Sequence, residues 1–536
     1  MLSRREILTL LLGAPAAAWA CQRQPARKYD GRIVGGSQSF GHQILRDIQV
    51  PATNDVEHVE IAIVGSGIAG LSAAWRLERR GEPRFVVLEL ESKAGGTSCY
   101  EDAGVVPHPW AAHYIPVPDS GNSDLVALLQ EIGALEPDQS GGLQPTEGMV
   151  VRAPEERLFI NGRWSSGLLP RARMNNDDWQ EFHRFQRYVE KWVAFRDSEG
   201  HRAFTLPLNR CSAKSPWIKD DAISASEWLS REGFHSPPLR FWLEYGCRDD
   251  YGCSLKSTSA WAFMLYHAAR VPAPGLPSSP YLTWPEGNGR LVRHFESLVG
   301  QRLRRQQLVS RVEQKDDCVE LSVVRNGATP YKIRARHVVL AVPQFIVRRL
   351  MSSSEPPEAT SAALFTYAPW LVANLHLKAR PRVVGFPLAW DNVLFDSPSL
   401  GYVVATHQLL NDDGPTVLTY YLPFTDTIAS VARQELSHLE HSRCCDVIMA
   451  DLGRAHPDLP ELVTRIDIWR WGHAMIRPIP GLIWGGALAD AQKPQGRIHF
   501  AHTDLSGVAL FEEAHAHGVR AADAILKARG TSSDVG

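Results

Sequence analysis

No charge of either sign dominates this chain: 57 Lys and Arg stand against 59 Asp and Glu, a net charge of −2. That balance gives no electrostatic footing to a polyanion, so a nucleic-acid partner is not expected. After the first 20 residues there is no apolar run of the roughly 20 residues needed to cross a bilayer as a helix. Cysteine is sparse, 8 in 536 residues, and no pair has zinc-ligand spacing, so no metal site is expected. Repeats and low-complexity tracts are missing, which excludes a solenoid. What remains is ordinary globular composition, 44% hydrophobic and 22% charged, with length enough for two domains around sizeable cores.

Residues 59–97 hold the strongest signal. Val59-Glu60-Ile61-Ala62-Ile63-Val64 reads as a buried strand, followed by Gly65-Ser66-Gly67-Ile68-Ala69-Gly70 and an amphipathic helix over residues 71–80 closed by Gly81. A second strand over residues 84–90 delivers Glu89 near its carboxyl end. Gly65 permits the tight turn, Gly67 lets backbone approach a pyrophosphate, and Gly70 lets helix pack on strand. The helix start adds free N–H groups and a positive dipole for that pyrophosphate. Glu89 would accept hydrogen bonds from a ribose, and a carboxylate there disfavours a 2′-phosphate. A dinucleotide site follows.

After Glu89 come Leu90-Glu91-Ser92-Lys93-Ala94-Gly95-Gly96-Thr97, and here the sequence resembles the FAD-dependent amine oxidases and phytoene desaturase-like flavoproteins. In that family a glycine pair runs beneath the flavin end of the cofactor, which assigns Gly95, Gly96 and Thr97. The resemblance returns at Arg497-Ile498-His499-Phe500-Ala501-His502-Thr503-Asp504, similar to the second FAD segment, with Asp504 near the pyrophosphate and ribityl chain. Residues 507–522 resemble the closing helix, whose amino end, with Leu510 and Phe511, points at the flavin pyrimidine ring. A positive helix end there would stabilise the anionic reduced flavin. Between these lie weaker likenesses: Trp284 to Leu291 to a glycine-rich segment before a helix, Val309-Ser310-Arg311-Val312 to the strand touching adenine through Val312, and Val338 to Pro343, with Ala341, to the strand before the substrate domain. The resemblance implies an α/β chain: a glutathione-reductase-like FAD-binding Rossmann domain interleaved with an amine-oxidase-like α+β substrate domain. FAD would be non-covalent, because the closing segment offers no cysteine.

Two positions depart from the family. Its usual lysine near flavin N5 has no counterpart in Trp370 to Leu377, where Val372 is the matching position, and Glu513 stands where glycine is usual. The missing lysine puts rapid oxygen reaction, and amines as substrates, in doubt.

Ser3-Arg4-Arg5-Glu6-Ile7-Leu8 resembles the twin-arginine export signal. The apolar stretch over residues 8–20, about 13 residues interrupted by Pro15, is too short for a bilayer of roughly 30 Å. It reads as a signal peptide ending at Ala18-Trp19-Ala20, with Cys21 placed for lipidation. The expected product is periplasmic or a membrane-anchored lipoprotein. A protein folded in a reducing cytoplasm cannot depend on bridges, so Cys444 and Cys445 read as core, and Cys247 and Cys253 could pair only after export.

Residues 21–57 suit a tether and lead-in strand. The cofactor domain gathers 58–115, 282–345 and 465–530, the substrate domain 116–281 and 346–464, with helices expected over 123–132, 179–195 and 225–232. Residues 531–536 form a tail with no structure expected. Candidate substrate contacts are Trp110 and His113 after the first cofactor segment, Asp249, Asp250 and Tyr251 as acids beside an aromatic, and Trp471 and His473 before the last cofactor strand. The acids could pair with an ammonium, exchange a proton, or merely cap a helix before a solvated turn. No nucleophile is assigned. The expected activity is transfer of a hydride equivalent from a small-molecule C–H bond, most simply an amine's, to flavin N5, with reoxidation by oxygen or another acceptor. The alternatives are an FAD-dependent desaturase or isomerase of an apolar substrate, and a flavin-binding lipoprotein without turnover.

Overall fold

The computed structural model describes residues 28–36, 38–46, 55–139, 142–351, 363–409, 411–425 and 427–533. The expected export signal and Cys21 lie outside them. Among the described residues no helix is long and apolar enough to cross a membrane, and no group of three or more His, Cys, Asp or Glu is placed to hold a metal ion.

The fold is mixed α/β and is organised by two sheets. The first has Val56–Val64 flanked in parallel by Phe85–Leu88 and Thr329–Leu340, with Leu303–Arg304 and Ile498–Phe500 extending the parallel set. Gln307–Gln314 and Val319–Arg325 add an antiparallel wing. Ile61 to Val64 and Phe85 to Leu88 are buried without interruption, as parallel strands covered on both faces must be. The helix Ile68–Arg79 and the closing helix Phe511–Ser533 pack on this sheet and on one another. A Cβ on Gly518 would lie 2.2 Å from the Ala69 carbonyl oxygen, so only glycine permits that approach.

The second sheet has eight strands in the order Ile33–Val34, Val463–Ile476, Tyr367–Leu377, Thr416–Pro423, Gly401–Val404, Asp391–Leu394, Glu156–Ile160 and Arg163–Ser166. A helical layer with Asn176–Ala194, Pro237–Tyr251 and Ala260–Ala268 packs around Trp217, Trp228 and Trp261. The long helix starts sharply because Asn175 and Asp178 exchange side-chain and backbone hydrogen bonds in a capping box.

Three expectations need correcting. Residues 465–476, assigned above to the cofactor domain, continue the strand Val463–Ile476 of the second sheet, because that strand pairs along its length with Tyr367–Leu377. Residues 33–34, in the stretch read as tether and lead-in strand, pair in parallel with Ile468 and Trp469 at the edge of the same sheet. The turn expected at Cys247 to Gly252 is instead the last turn of Pro237–Tyr251, which ends at Gly252 in the left-handed region (φ 59°). The closing helix runs to Ser533, so residues 531–533 are helical. The seven described cysteines, Cys247 and Cys253 included, are all free.

His499 gives a test of this core. It is 6% exposed, lies beside His337, and neither ring nitrogen has a partner. Burial pushes it down to about 4, with the charges of His337 and Arg520 adding to the effect. The unfolded chain therefore binds the extra proton between pH 6.5 and 4, and native stability falls as pH drops through that window. His499→Leu should remove this loss. Its advantage over the parent in chemical denaturation should grow by up to about 1.4 kcal/mol per pH unit from 6.5 to 4, and be flat above 7. A pH-independent difference would refute the assignment.

Candidate active site

Between the two sheets runs one cavity of about 1030 Å³, at the upper end of the roughly 300–1,000 Å³ usual for ligand pockets. Its first end is built by the strand–turn–helix expected from the sequence. Gly65 has φ +97°, and a Cβ there would press the Ala341 carbonyl oxygen at 2.6 Å. Gly70 allows helix to meet turn, since a Cβ would stand 2.0 Å from the Gly65 carbonyl oxygen. Gly67 differs: its Cβ would meet nothing within 4 Å and would project into open space beside the first turn of Ile68–Arg79. The first amides of that helix have no intrahelical acceptor. Glu89 accepts from the Ser66 amide at 2.8 Å, the Ser66 hydroxyl at 2.6 Å and the Glu91 amide at 2.8 Å. Burial raises Glu89 above the usual carboxylate range despite these donors. Gly95 bonds back to the Ser66 carbonyl at 2.8 Å, which brings Gly95, Gly96 and Thr97 to the same wall.

The middle of the cavity is held by Asp504, which is fully buried. Its Oδ2 accepts from the Gln344 amide at 2.7 Å and from the Tyr367 hydroxyl at 2.5 Å, tying both sheets together. Burial alone would raise Asp504, but the adjacent His502 and these two donors outweigh it and hold it below the usual range. Oδ1 lies 2.9 Å from His502 Nδ1. That nitrogen already accepts the Asp504 amide at 3.1 Å, and Oδ1 has no hydrogen-bond donor among the described residues. Asn288 Oδ1, on the opposite wall, is likewise buried without a donor. An open cradle at Gly67, free helix amides and two unpartnered acceptors fit a diphosphate flanked by hydroxyl-bearing sugars, as in FAD. The nucleotide sugar would lie at Glu89, the diphosphate at Gly67, and the ribityl chain toward Asp504.

The far end is aromatic and acidic. His113, Tyr114, Trp370, Tyr421 and Trp471 line it, and Trp469 and Trp471 stack with centroids 4.4 Å apart. His113 Nδ1 is held 3.1 Å from the Ala111 carbonyl and 3.0 Å from the Tyr421 hydroxyl. Burial pushes His113 down to about 4, so it is neutral at pH 7. Asp249 and Asp250 both reach this end from the last turn of Pro237–Tyr251. Arg270 Nη2 pairs with Asp250 at 2.9 Å. Glu512, from the closing helix, completes the acidic wall and is raised by burial, with Arg270 acting against it. Among the described residues Lys93 is the single lysine lining the cavity, and it is occupied by Glu101 at 2.7 Å. Val372 lines the wall between Trp469 and Tyr421, its partners on the neighbouring strands.

The structure therefore brings Gly65, Gly67, Ile68, Ala69, Glu89, Gly95, Gly96, Thr97, Ala341, Asp504, Leu510 and Phe511 to one cavity with His113, Asp249, Asp250, Trp471 and His473. Ser66 and Gly70 sit behind the wall as its supports. Three residues fall elsewhere. Val312 packs in the sheet core, because the strand Gln307–Gln314 meets the cavity with Gln307, Leu308 and Val309 and has a bulge before Arg311. Trp110 is buried against Trp469, and its carbonyl accepts from Trp471 Nε1 at 2.9 Å. Tyr251 points into the helical layer and donates to the Ala262 carbonyl, two helix positions away from Asp249 and hence on another face. Glu513 also points away, accepting from the Leu208 amide at 2.7 Å and from Ser506, so the residue that replaces glycine leaves the cavity clear. Arg270, Tyr114, Tyr367 and Tyr421 were not singled out above. Arg270 follows a helix end, Tyr114 lies in the loop before Ile115–Pro116, and Tyr367 and Tyr421 are single strand positions, so no spacing marks them.

Comparison with known proteins agrees with this geometry. The family model for flavin containing amine oxidoreductases matches residues 68–526. A Baeyer-Villiger monooxygenase of Streptomyces coelicolor is 38% identical over 88 residues, 14% of this chain and 17% of that protein. Among solved structures, a triple mutant of a putrescine oxidase is similar with TM-score 0.65 and 16% identity, covering 88% of this chain and 99% of that one. A fatty acid isomerase from P. acnes reaches 0.59 at 13% identity, covering 86% and 97%. At these identities the structural likeness is one of fold.

Proposed function

Because the chain belongs to the flavin containing amine oxidoreductase family and is an FAD-dependent oxidoreductase, we propose that it oxidises a primary or secondary amine. The observation that carries this reading is Asp249, a carboxylate at the cavity's aromatic end that no cation pairs with among the described residues. Its neighbour Asp250 is matched by Arg270; Asp249 is not. An alkylammonium would supply the missing charge, and the faces of Trp370, Tyr421 and Trp471 would hold its alkyl part and add cation–π attraction. The carboxylates at this end of the cavity support the amine reading over a desaturase or isomerase of an apolar substrate.

Bound in the cavity, FAD supplies a two-electron acceptor for a substrate C–H bond. The chain's own part is to bind, orient and dry the site. Tyr421 and the Ala111 carbonyl fix the His113 ring, and Trp390 and Tyr114 pack against it at centroid distances of 5.3 and 5.2 Å. The Trp469–Trp471 stack, anchored through Trp110, closes the side facing the strand Val463–Ile476. Reoxidation would use oxygen or another acceptor; Val372 in place of a lysine favours an acceptor other than oxygen. The reading extends to location: Arg4, Arg5 and residues 8–20 support export by the twin-arginine route, and Cys21 supports a lipid anchor in the periplasm.

The test is anaerobic titration of the purified holoenzyme with a panel of primary and secondary amines. At least one should bleach the flavin absorbance stoichiometrically. A panel of broad size and shape that leaves the spectrum unchanged would sink the amine assignment, whatever the protein's redox activity.

A further inference from the structure

We propose that Asp249 is the group that takes the substrate's proton before oxidation, an inference that rests on the amine reading. In this step an ammonium N–H bond breaks and its proton forms an O–H bond on an Asp249 carboxylate oxygen. The bonding pair stays on nitrogen as a lone pair. Cationic amine and carboxylate become neutral amine and neutral carboxyl, and no redox partner is needed for the exchange. An amine gives up two electrons readily only with that lone pair available, and at neutral pH amines arrive protonated.

The geometry separates the two adjacent acids. Asp250 is 4% exposed, and Arg270 approaches it through Nη2 at 2.9 Å and Nη1 at 3.4 Å. The Tyr114 hydroxyl oxygen lies 3.1 Å from Asp250 Oδ1 and 3.4 Å from Asp249 Oδ2, so its single proton serves Asp250 first. Asp249 is left facing the cavity with one long hydrogen bond and no counter-ion. Besides Arg270, the ionisable groups that act on it are acidic or phenolic, and His113, at the same end of the cavity, is neutral. Tyr245 lies one turn earlier on the same helix and donates to Asp391 at 2.6 Å. Asp391 and Glu156 are paired across neighbouring strands, while Tyr266, Tyr281 and Tyr421 come from the facing walls.

Electrostatics then favours transfer over a lasting ion pair. Burial, and next to it the charge of Asp250, raise Asp249 well above the usual carboxylate range, against the more distant charge of Arg270 and the Tyr114 hydrogen bond, with Glu156 adding in the raising direction. A dry site also penalises two separated charges more than a neutral pair. A general base whose pKa is raised toward neutrality contributes roughly 10²–10⁴-fold to a proton-transfer step.

The experiment uses the FAD-loaded enzyme and two probes. Tert-butylamine has N–H bonds but no hydrogen on its α-carbon, so it binds without being oxidised. Tetramethylammonium carries the charge but has no proton to give. In difference infrared spectra, saturating tert-butylamine should raise a protonated-carboxyl band in the parent enzyme. Tetramethylammonium should bind without one, and Asp249→Glu should keep the band at a shifted frequency. In Asp249→Asn, kcat/KM for an oxidisable amine should fall roughly 10²-fold or more at pH 7. That deficit should shrink as pH approaches the amine's own pKa, because the substrate then arrives neutral; a purely structural defect would not recover. Saturable tert-butylamine binding with no carboxyl band, or a band that survives in an Asp249→Asn enzyme that still binds the probe, overturns the proposal and leaves the amine reading standing. If no amine binds or bleaches the parent, both fall.

Discussion

Gly67→Val should give a folded protein that cannot keep its FAD. At Gly67 the backbone has φ −67° and ψ 177°, which any L-residue adopts, and a Cβ there meets no protein atom within 4 Å. The substitution therefore costs the fold little. The new methyl groups, however, stand in the cradle where a diphosphate must come within hydrogen-bonding reach of the first helix amides. We expect FAD affinity to drop about 100-fold or more, some 2.7 kcal/mol, while the circular dichroism and melting of the apoprotein match the parent apoprotein. Gly70→Val is the contrasting case. Its Cβ would lie 2.0 Å from the Gly65 carbonyl oxygen, so helix and turn must part, and it should fail in folding rather than in binding. A Gly67→Val protein that purifies yellow with ordinary FAD content would show that the diphosphate lies elsewhere.

Asp504→Ala should cost both stability and cofactor. The buried carboxylate holds Gln344 at the end of one sheet and Tyr367 at the start of a strand in the other. Removing it strands a buried amide and a buried hydroxyl, and hydrogen bonds to a charged group are worth about 1.5–3 kcal/mol each. We expect a loss of about 3 kcal/mol or more in the denaturation of the apoprotein, with weaker FAD binding in addition because Oδ1 is lost. Asp504→Asn keeps an acceptor and should lose less. Equal stability of Asp504→Ala and parent apoproteins would mean that the two sheets are not joined through this residue.

The cofactor end of the molecule was readable from local chemistry. Gly65, Gly67 and Gly70 each answer a different backbone requirement within a few residues of one another, and the alternation of strand, turn and helix around them is set by residues adjacent in sequence. The same holds for the helices near 123–132, 179–195 and 225–232, found at Ser123–Glu131, Asn176–Ala194 and Ala225–Arg231, where apolar spacing and caps decide the outcome. Boundaries failed where long-range pairing took over. Residues 465–476 precede a cofactor strand in sequence, yet their hydrogen bonds go to Tyr367–Leu377 almost a hundred positions earlier. Val312 failed for a related reason: a bulge shifts which residues of its strand face the cavity.

By itself, then, the sequence determined the strand–turn–helix that opens the cavity and which glycines and carboxylate line it, because those constraints act between near neighbours on the backbone. Only the tertiary structure decided which of two adjacent aspartates is left without a counter-ion, since that depends on Arg270, 20 positions further on, and on Tyr114, 135 positions before Asp249. Charge pairing inside a cavity is settled by which distant side chains arrive there, and no local pattern in the chain encodes it.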